Sequence, residues 1–342
     1  MAGLRPGDWR SGVRRLSQRV LYRAPGERDD CPACMSRRLH DLDVLPLRAA
    51  RTAFVCGCDE CGLVFSNPLP TAEELELFYS ESGAWGAVRQ SLDDDGEPAT
   101  AAQVGRSWRR LFEAIRDRLD VAAPPPGASV LDFGCGEGTM LDGFQSCGWQ
   151  TWGIEPAIDR AFARHGRLYT IPETPAFDLV LALHVLEHVS SPLALLRQLA
   201  GACKMGGHLL VAVPRFDTLP THRDYRYVLN GRAHIMAYTW PCLRALLARA
   251  GWEAIALPLE NRLTPSRIRV LARRTDDPPA DIRVSTEVAR AAIAGYYAGG
   301  DSRPLSARIG LIRVTARRLD TERQRAKAAR KATALARDAK DR

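Results

Sequence analysis

The sequence predicts an α/β protein with a doubly wound sheet, preceded by a cysteine-rich module and followed by a basic helical tail. Three observations lead to this prediction. Short apolar runs alternate with helix-length segments from residue 129 onward, two CxxC pairs precede them, and the chain beyond 282 becomes increasingly polar. Alternating strands and helices are typical of a sheet covered by helices on both faces. The length of 342 residues suggests roughly two folded units.

The composition indicates a globular protein without a membrane span. Apolar residues make up 46% of the chain and charged residues 26%. No uncharged run approaches the roughly 20 apolar residues that cross a bilayer, so we expect no transmembrane segment. The first 25 residues contain no apolar core of the kind found in export signals. We therefore expect a cytoplasmic protein with reduced cysteines.

The net charge of +8 is unevenly distributed. Residues 1–28 hold seven arginines and two acidic residues, and residues 303–342 hold thirteen basic and four acidic residues. The part between them is mildly acidic, so the net charge does not indicate that the body binds nucleic acid. The tail is either a solvated helix or an electrostatic tether to an anionic surface.

These patterns divide the chain into segments. Thr71 and Glu74 form a capping box at the start of a connecting helix, and Pro and Asp residues mark a linker at 275–281. The predicted segments are a basic N-terminal segment (1–28), a zinc-binding module (29–70), a helical connector (71–121), an α/β domain (122–275) and a basic helical tail (282–342).

Within the α/β domain the apolar runs and caps predict each element in turn. Ser191-Pro192, for example, is a favourable helix start because a capping side chain precedes a proline at the first helical position. The predicted strands are 129–133, 150–155, 177–183, 208–213, 252–257 and 267–273. The predicted helices are 138–147, 157–165, 192–203 and 240–250.

The two CxxC pairs are Cys31-Pro-Ala-Cys34 and Cys58-Asp-Glu-Cys61. Their spacing is close to that of a zinc ribbon, and four thiolates satisfy the tetrahedral preference of Zn²⁺. Such a site leaves no open coordination position, so we predict a structural zinc rather than a catalytic one. Cys56 is a possible substitute for Cys58. The alternative is a set of reduced cysteines without metal.

A glycine-rich turn, Asp132-Phe-Gly134-Cys-Gly136-Glu-Gly138, follows the first predicted α/β strand and opens a helix. Glycines let the backbone approach a ligand closely, and the helix start presents N–H donors. Glu155 ends the next strand, where a carboxylate can accept both hydroxyls of a ribose. Together they predict a nucleoside cofactor, and the alternative is a turn without ligand. The run lacks the GxGxxG pattern of nicotinamide dinucleotide sites.

The same run resembles motif I of class I S-adenosylmethionine-dependent methyltransferases. Gly153-Ile-Glu155-Pro156 resembles the ribose-binding motif of that superfamily, and His184-Val-Leu-Glu187-His188-Val189 resembles the loop after its fourth strand. The resemblance implies a Rossmann-like methyltransferase sheet, with a very short third strand because few residues separate Glu155 from Phe177. It also implies that S-adenosylmethionine is held by Asp132, Gly134, Gly136, Gly138, Glu155 and His184.

The N-terminal half looks like the zinc module of a subgroup whose members modify sugars, polysaccharides and secondary metabolites. The segment that carries this resemblance runs from Cys58 to Pro68 and on to Phe78-Tyr79. It implies methyl transfer to a small-molecule, sugar or glycan acceptor. The alternative is an RNA methyltransferase that uses the zinc module and basic tail, although the body is acidic and lacks aromatic–basic interleaving. The oligomeric state is not indicated.

The candidate catalytic residues follow the fourth and fifth α/β strands. His184, Glu187 and His188 have spacings that would place them near one face of a helix, where a histidine is either a general base or a hydrogen-bonding partner of the loop. This loop resembles that of ubiquinone-type O-methyltransferases, which have Glu at the position of His184 and use a divalent metal there. Because this chain has His instead, we expect a catalytic metal less. His234 is the third candidate, in a segment that is either a substrate-facing insertion or a packed lid. The remaining aromatic and histidine candidates are Tyr79, His222, Tyr225, Tyr227 and Tyr238.

Overall fold

The computed structural model describes ten stretches of the chain, and everything said below about structure refers to them. They are residues 27–46, 52–79, 111–113, 115, 124–156, 160–217, 228–231, 233–256, 267–279 and 282–298. The basic N-terminal segment up to residue 26, most of the helical connector and the tail beyond 298 lie outside the described residues.

The strands and helices follow one another in the order that the α/β pattern predicts. In chain order they are β1 (Leu39–Pro46), β2 (Thr52–Cys58), β3 (Val64–Asn67), α1 (Ala72–Tyr79), β4 (Ser129–Phe133), α2 (Thr139–Ser146), β5 (Gln150–Ile154), β6 (Gly166–Arg167), β7 (Phe177–Leu183), α3 (Pro192–Ala202), β8 (Cys203–Pro214), β9 (Met236–Ala237), α4 (Trp240–Arg249), β10 (Trp252–Ala256), β11 (Arg267–Arg274) and α5 (Glu287–Ala298).

The large sheet has seven strands in the order β10-β11-β8-β7-β4-β5-β6. The pairs β4–β5, β4–β7, β5–β6 and β7–β8 are parallel, whereas β11 runs antiparallel to β8 and to β10. The strand order reverses at β4, which has β5 on one side and β7 on the other. Ligands of doubly wound sheets bind at the carboxyl ends of the strands at such a switch point.

Helices cover both faces of this sheet. On one face α2 packs Met140, Leu141 and Phe144 against apolar residues of β4, β7 and β8. Leu111 and Ile115 of the connector are helical, buried and part of the same cluster. On the other face α3 and α4 pack against the sheet through leucines such as Leu196 and Leu246. The predicted mixed α/β architecture is therefore confirmed.

One predicted helix is shorter than expected. The sequence predicts a helix over 157–165, but a single 3₁₀ turn, Arg160–Ala163, is observed, and residues 157–159 lie outside the described residues. The chain must re-enter the sheet at Gly166 to form β6, which leaves too few residues for a longer helix. The third strand of the α/β unit is only two residues long, as the short spacing predicts.

The N-terminal segment forms a second, four-stranded sheet in the order β1-β2-β3-β9. Its first three strands are antiparallel neighbours in sequence, and β9, which comes after β8, pairs with β3 through Val64 and Phe65. Helix α5 packs Ala289 and Ile293 onto this sheet. Among the described helices, none is long and apolar enough to cross a membrane.

Candidate functional site

The glycine loop joins β4 to α2. Gly134, Gly136 and Gly138 have φ angles of 79°, 54° and 78°, a left-handed conformation that a side chain would strain. The N–H groups of Gly134 and Cys135 donate to the carbonyl of Ile154 at 2.7 and 3.3 Å, which fixes the loop to the end of β5. The loop therefore lies at the switch point of the sheet, where the sequence predicts a cofactor site.

Two acidic side chains flank this loop. Oε2 of Glu155 accepts from the N–H of Gly136 at 3.1 Å. Asp132 is 3% exposed, and its Oδ1 has no hydrogen-bond partner among the described residues. Burial, helped by the nearby Glu155, raises the pKa of Asp132 to about 7. A buried acceptor without a donor is costly, and it suits a site that a polar ligand completes.

The loop has room for such a ligand. A Cβ atom built on Gly136 would meet no atom within 4 Å. A Cβ on Gly134 would lie 2.8 Å from Cγ2 of Val185, so the glycine loop passes closely over the loop that follows β7. An open backbone, a buried carboxyl group and a second carboxyl group at the end of β5 fit a nucleoside cofactor such as S-adenosylmethionine.

His184 begins the loop after β7 and has a φ of 57°, unusual for a residue other than glycine. Its N–H donates to the carbonyl of Ala212 at 2.8 Å, and its Nδ1 lies 3.1 Å from Oε1 of Glu187. Strained backbone of this kind persists where neighbouring contacts fix it, and such positions occur often at functional sites.

Glu187 lies at the centre of the candidate catalytic residues. Its side chain is fully buried and its Oε1 contacts His184, whereas its Oε2 has no hydrogen-bond partner in the part of the chain that the structure describes. Its main-chain carbonyl accepts from the N–H groups of Ile235 and Met236 at 2.8 and 3.1 Å. The segment is a turn rather than the helix that the spacing suggested, yet Glu187 still brings His184 and His188 together.

His188 is held by main-chain and side-chain partners. Its Nδ1 lies 2.7 Å from Oη of Tyr79 and 2.9 Å from the carbonyl oxygen of Ala233. Its ring centroid is 5.0 Å from that of His234. Burial lowers the pKa of His188 to about 4, although Glu187 acts in the opposite direction. The imidazole is therefore neutral at neutral pH.

The structure thus places the three predicted catalytic histidines in one neighbourhood. Ligand atoms of Glu187, His188 and His234 all lie within 4.8 Å of one another, a spacing that one cation or one hydrogen-bonding ligand could bridge. Tyr238, in contrast, is fully buried and donates its hydroxyl to the carbonyl of Leu186 at 2.8 Å, so it supports the loop from the core. His222, Tyr225 and Tyr227 lie outside the described residues.

One member of this site has no signal in the sequence. Ala233 contributes only its main-chain carbonyl, and no side-chain pattern marks a main-chain acceptor. The contact between Tyr79 and His188 joins residues far apart in the sequence, and the Phe78-Tyr79 pair was the only sign of it. No sequence pattern predicts that the N–H groups of Ile235 and Met236 donate to the main-chain carbonyl of Glu187.

The four predicted cysteines form a compact cluster. Sγ of Cys31 lies 3.6 Å from Sγ of Cys61, and Sγ of Cys34 lies 3.6 Å from that of Cys58. Sulfur atoms at the corners of a tetrahedron around zinc, with bonds of about 2.3 Å, stand close to this distance apart. Hydrogen bonds among the four thiols shift their pKa values in opposite directions. The contact with Cys31 lowers the pKa of Cys34 and of Cys58 and raises that of Cys61, and the contact with Cys34 raises that of Cys31.

Cys56 does not belong to this cluster, because its thiol instead donates to Oδ1 of Asp41 at 3.2 Å. The four clustered cysteines therefore fit a closed Cys₄ metal site, and Cys58 rather than Cys56 completes it.

Comparisons with known proteins agree with this geometry. Residues 107–257 match the family described as "Methyltransferase domain". The ubiquinone biosynthesis O-methyltransferase of Xanthomonas campestris pv. campestris (strain B100) is 32% identical over 162 residues, which cover 43% of this chain and 65% of that protein. The chain thus spans less than two thirds of this relative.

Two further similarities lie in the same region. The tRNA U34 carboxymethyltransferase of Methylococcus capsulatus is 32% identical over 174 residues, covering 44% of this chain and 50% of that protein. A solved 1,6-didemethyltoxoflavin-N1-methyltransferase of Burkholderia thailandensis has 16% identity and a TM-score of 0.46, and the alignment covers 68% of this chain and 100% of that one. Residues 107–257 are therefore similar in sequence to methyltransferase domains, and the glycine loop and the strand order described above are consistent with that similarity.

Proposed function

We propose that the protein transfers a methyl group from S-adenosylmethionine to a small-molecule, sugar or glycan acceptor. The observation that carries this proposal is the glycine loop at the switch point, with the buried Asp132 on one side and Glu155 on the other. When bound, the cofactor supplies an activated methyl group. In this proposal Glu155 accepts from the ribose hydroxyls, and Oδ1 of Asp132 accepts from the polar part of the cofactor.

The protein's own part in the reaction is to align the acceptor and receive its proton. His184, His188 and His234 are the proposed catalytic histidines, and Glu187 orients the first two of them. His188 is neutral at neutral pH, so it is able to accept a hydrogen bond or a proton. His184 starts at the end of β7, beside the glycine loop, and we assign it to the cofactor pocket as well.

We further propose that Cys31, Cys34, Cys58 and Cys61 bind one structural Zn²⁺. The sulfur–sulfur distances of 3.6 Å and the burial of three of the four residues support a closed site without a position for substrate. The ion would stabilise the turn between β2 and β3 and the loop before β1. It has no direct part in methyl transfer in this proposal.

A second candidate function is methylation of RNA. The similarity to a tRNA carboxymethyltransferase and the basic residues of 303–342 favour it. The mildly acidic body between the basic ends argues against it, because RNA affinity depends mainly on neutralising phosphates. We therefore rank a small acceptor first.

The test is a transfer assay with isotope-labelled S-adenosylmethionine. The acceptor panel contains nucleotide sugars, phenolic metabolites, a polysaccharide and bulk tRNA. We expect label to enter a small molecule or glycan and to be lost in the His188→Ala variant. Label that enters only tRNA would establish the second candidate. Label in no acceptor, with normal cofactor binding, would contradict the proposed acceptor classes.

A further inference from the structure

The second CxxC turn, residues 58–62, carries two of the four proposed zinc ligands and closes the hairpin between β2 and β3. The N–H of Gly62 donates to the carbonyl of Cys58 at 2.8 Å, and the N–H of Cys58 donates to the carbonyl of Leu63 at 2.9 Å. The N–H of Glu60 donates to Sγ of Cys58 at 3.4 Å. The main chain of this turn thus folds around a ligand sulfur.

A segment from far along the chain lies on this turn. We call residues 283–286, which precede α5, the docking segment. The N–H of Val284 donates to the carbonyl of Glu60 at 3.2 Å. The N–H and the hydroxyl of Thr286 both donate to Oδ1 of Asp59, at 2.9 and 2.6 Å. The docking segment therefore binds polar groups of both residues that separate the two cysteines of the turn.

The docking segment also packs closely against the turn. Val284 and Thr286 are 6% and 1% exposed, and Val284 forms a β-bridge with Cys61. A Cβ atom on Gly62 would lie 2.5 Å from Cγ1 of Val284, and one on Gly57 would lie 2.6 Å from Cγ2 of Thr286. The segment thus lies directly on main chain at both ends of the turn, and this fit depends on the shape of the turn.

A third group of contacts is electrostatic. The carboxylate of Glu60 lies 3.7 Å from the guanidinium of Arg283 and 3.7 Å from that of Arg249 in α4. The Arg283 side chain is 54% exposed, so its ion pair adds little to stability. The buried contacts of Val284 and Thr286 therefore carry most of the docking.

We propose that zinc binding and docking of residues 283–286 are coupled: the ion orders the second CxxC turn, and the ordered turn holds the segment that leads into α5. This inference rests on the proposed zinc site. Thiolates with sulfur atoms 3.6 Å apart repel one another unless a cation lies between them, so the shape of the turn depends on the ion. The coupling is reciprocal, because contacts that form only on the ordered turn add to its affinity for zinc.

The first experiment measures the zinc affinity of the full-length protein by competition with a chromogenic chelator. Thr286→Val replaces the hydroxyl by a methyl group at a position far in sequence from every proposed ligand. Glu287→Gln, a change in an exposed neighbour, is the control. We expect zinc affinity to fall about fivefold in Thr286→Val, because a buried hydrogen bond to a carboxylate is lost, and to stay within about twofold in the control.

The second experiment uses the wild-type protein alone. Hydrogen exchange followed by mass spectrometry compares the zinc-loaded protein with the same protein after removal of the metal by a chelator. We expect peptides from residues 283–298 to exchange about tenfold faster without zinc, whereas peptides from β7 keep their rate.

Two results would overturn the coupling. One is equal zinc affinity in wild type and Thr286→Val, and the other is unchanged exchange of residues 283–298 in the zinc-free protein, which requires no variant to fold. Wild-type protein that binds no zinc would instead overturn the proposed metal site, and the coupling with it. Elemental analysis of the purified protein separates these cases.

Discussion

Asp132 and Glu155 carry most of the proposed cofactor chemistry at the scale of single residues. Both stand at the ends of neighbouring parallel strands, β4 and β5, so the register that pairs Phe133 with Ile154 brings their carboxyl groups to one edge of the sheet. Glu155 accepts from the N–H of Gly136, whereas Oδ1 of Asp132 has no donor within the described stretches of the chain. The two residues therefore lead to separate predictions.

The raised pKa of Asp132 predicts that cofactor binding depends on pH. Burial raises its pKa to about 7, so the folded protein holds a neutral carboxyl group below that pH and a carboxylate above it. The cofactor carries sulfonium and ammonium charges that a carboxylate attracts. We expect the affinity for the cofactor to increase about tenfold as the pH rises from 5.5 to 7.5, because the Asp132 carboxyl group loses its proton over this range. A tenfold change in affinity corresponds to about 1.4 kcal/mol. Calorimetric titrations of wild type and Asp132→Asn test this, and equal slopes in the two proteins would contradict it.

The proposed role of Glu155 predicts that its removal weakens cofactor binding. Glu155→Ala leaves buried ribose hydroxyls without an acceptor, which we expect to weaken cofactor binding by about 1–3 kcal/mol. The matched control is Glu253→Ala in β10, which removes an exposed carboxyl group paired with Arg273 of β11. Isothermal calorimetry of both variants is the measurement. Unchanged affinity in Glu155→Ala would remove the ribose assignment.

At the scale of elements, the sequence predicted the α/β sheet well for a physical reason. Strands buried on both faces read as continuous apolar runs, and β4, β7 and the second half of β8 are such runs. The two-residue strands could not be located in this way. Met236 and Ala237 form β9 by pairing with the edge of β3. This contact joins distant parts of the chain, so no local sequence pattern predicts it.

The candidate site was predictable to a similar degree. Residue type and spacing are enough to predict the glycine loop, the acidic residues and the histidines after β7. Their arrangement does not: Glu187 is fixed through its main-chain carbonyl by Ile235 and Met236, and His188 through that of Ala233. Main-chain hydrogen bonds across the fold depend on tertiary packing, which the identity of these residues does not encode locally.

The Cys₄ cluster gives a prediction for the N-terminal sheet. We expect the purified wild-type protein to contain about one equivalent of zinc per chain. Cys34→Ser removes one of the four proposed ligands, so we expect this variant to lack zinc and to unfold at a lower temperature. Cys147→Ser, in the turn after α2 and away from the cluster, is the control. Elemental analysis and thermal unfolding are the measurements. An iron–sulfur absorbance in the wild-type protein would show that the metal assignment is wrong.

At the scale of the whole molecule, the cysteine-rich module and the α/β domain share one core. Cys31, Cys58 and Cys61 belong to the same buried cluster as the leucines of α3 and α4. The segment after β11 is attached to this module too: Cys61 forms a β-bridge with Val284, and Oδ1 of Asp59 accepts from the N–H and hydroxyl of Thr286 at 2.9 and 2.6 Å. The beginning of the predicted tail therefore packs on the N-terminal sheet.

This packing distinguishes two truncations. Residues 312–342 have few apolar anchors, so we expect their removal to leave cofactor affinity and turnover on a small acceptor nearly unchanged. Removal of 282–342 also deletes α5 and uncovers the side of the N-terminal sheet that Ala289 and Ile293 bury, and we expect a clear loss of thermal stability. Thermal unfolding and cofactor titration of both truncations test this. A large loss of turnover in the shorter truncation would show that the tail folds over the active site.

Cofactor recognition is the central claim, and a titration of the full-length protein with S-adenosylmethionine tests it most directly. The glycine loop, the buried Asp132 and Glu155 predict one site per chain that binds S-adenosylmethionine and its demethylated product, with no measurable affinity for a nicotinamide dinucleotide. Isothermal calorimetry with the three ligands measures this in one series. Saturable binding of S-adenosylmethionine at one equivalent is the predicted result. Tight binding of the dinucleotide in its place, or no binding of S-adenosylmethionine, would contradict the assignment of this site.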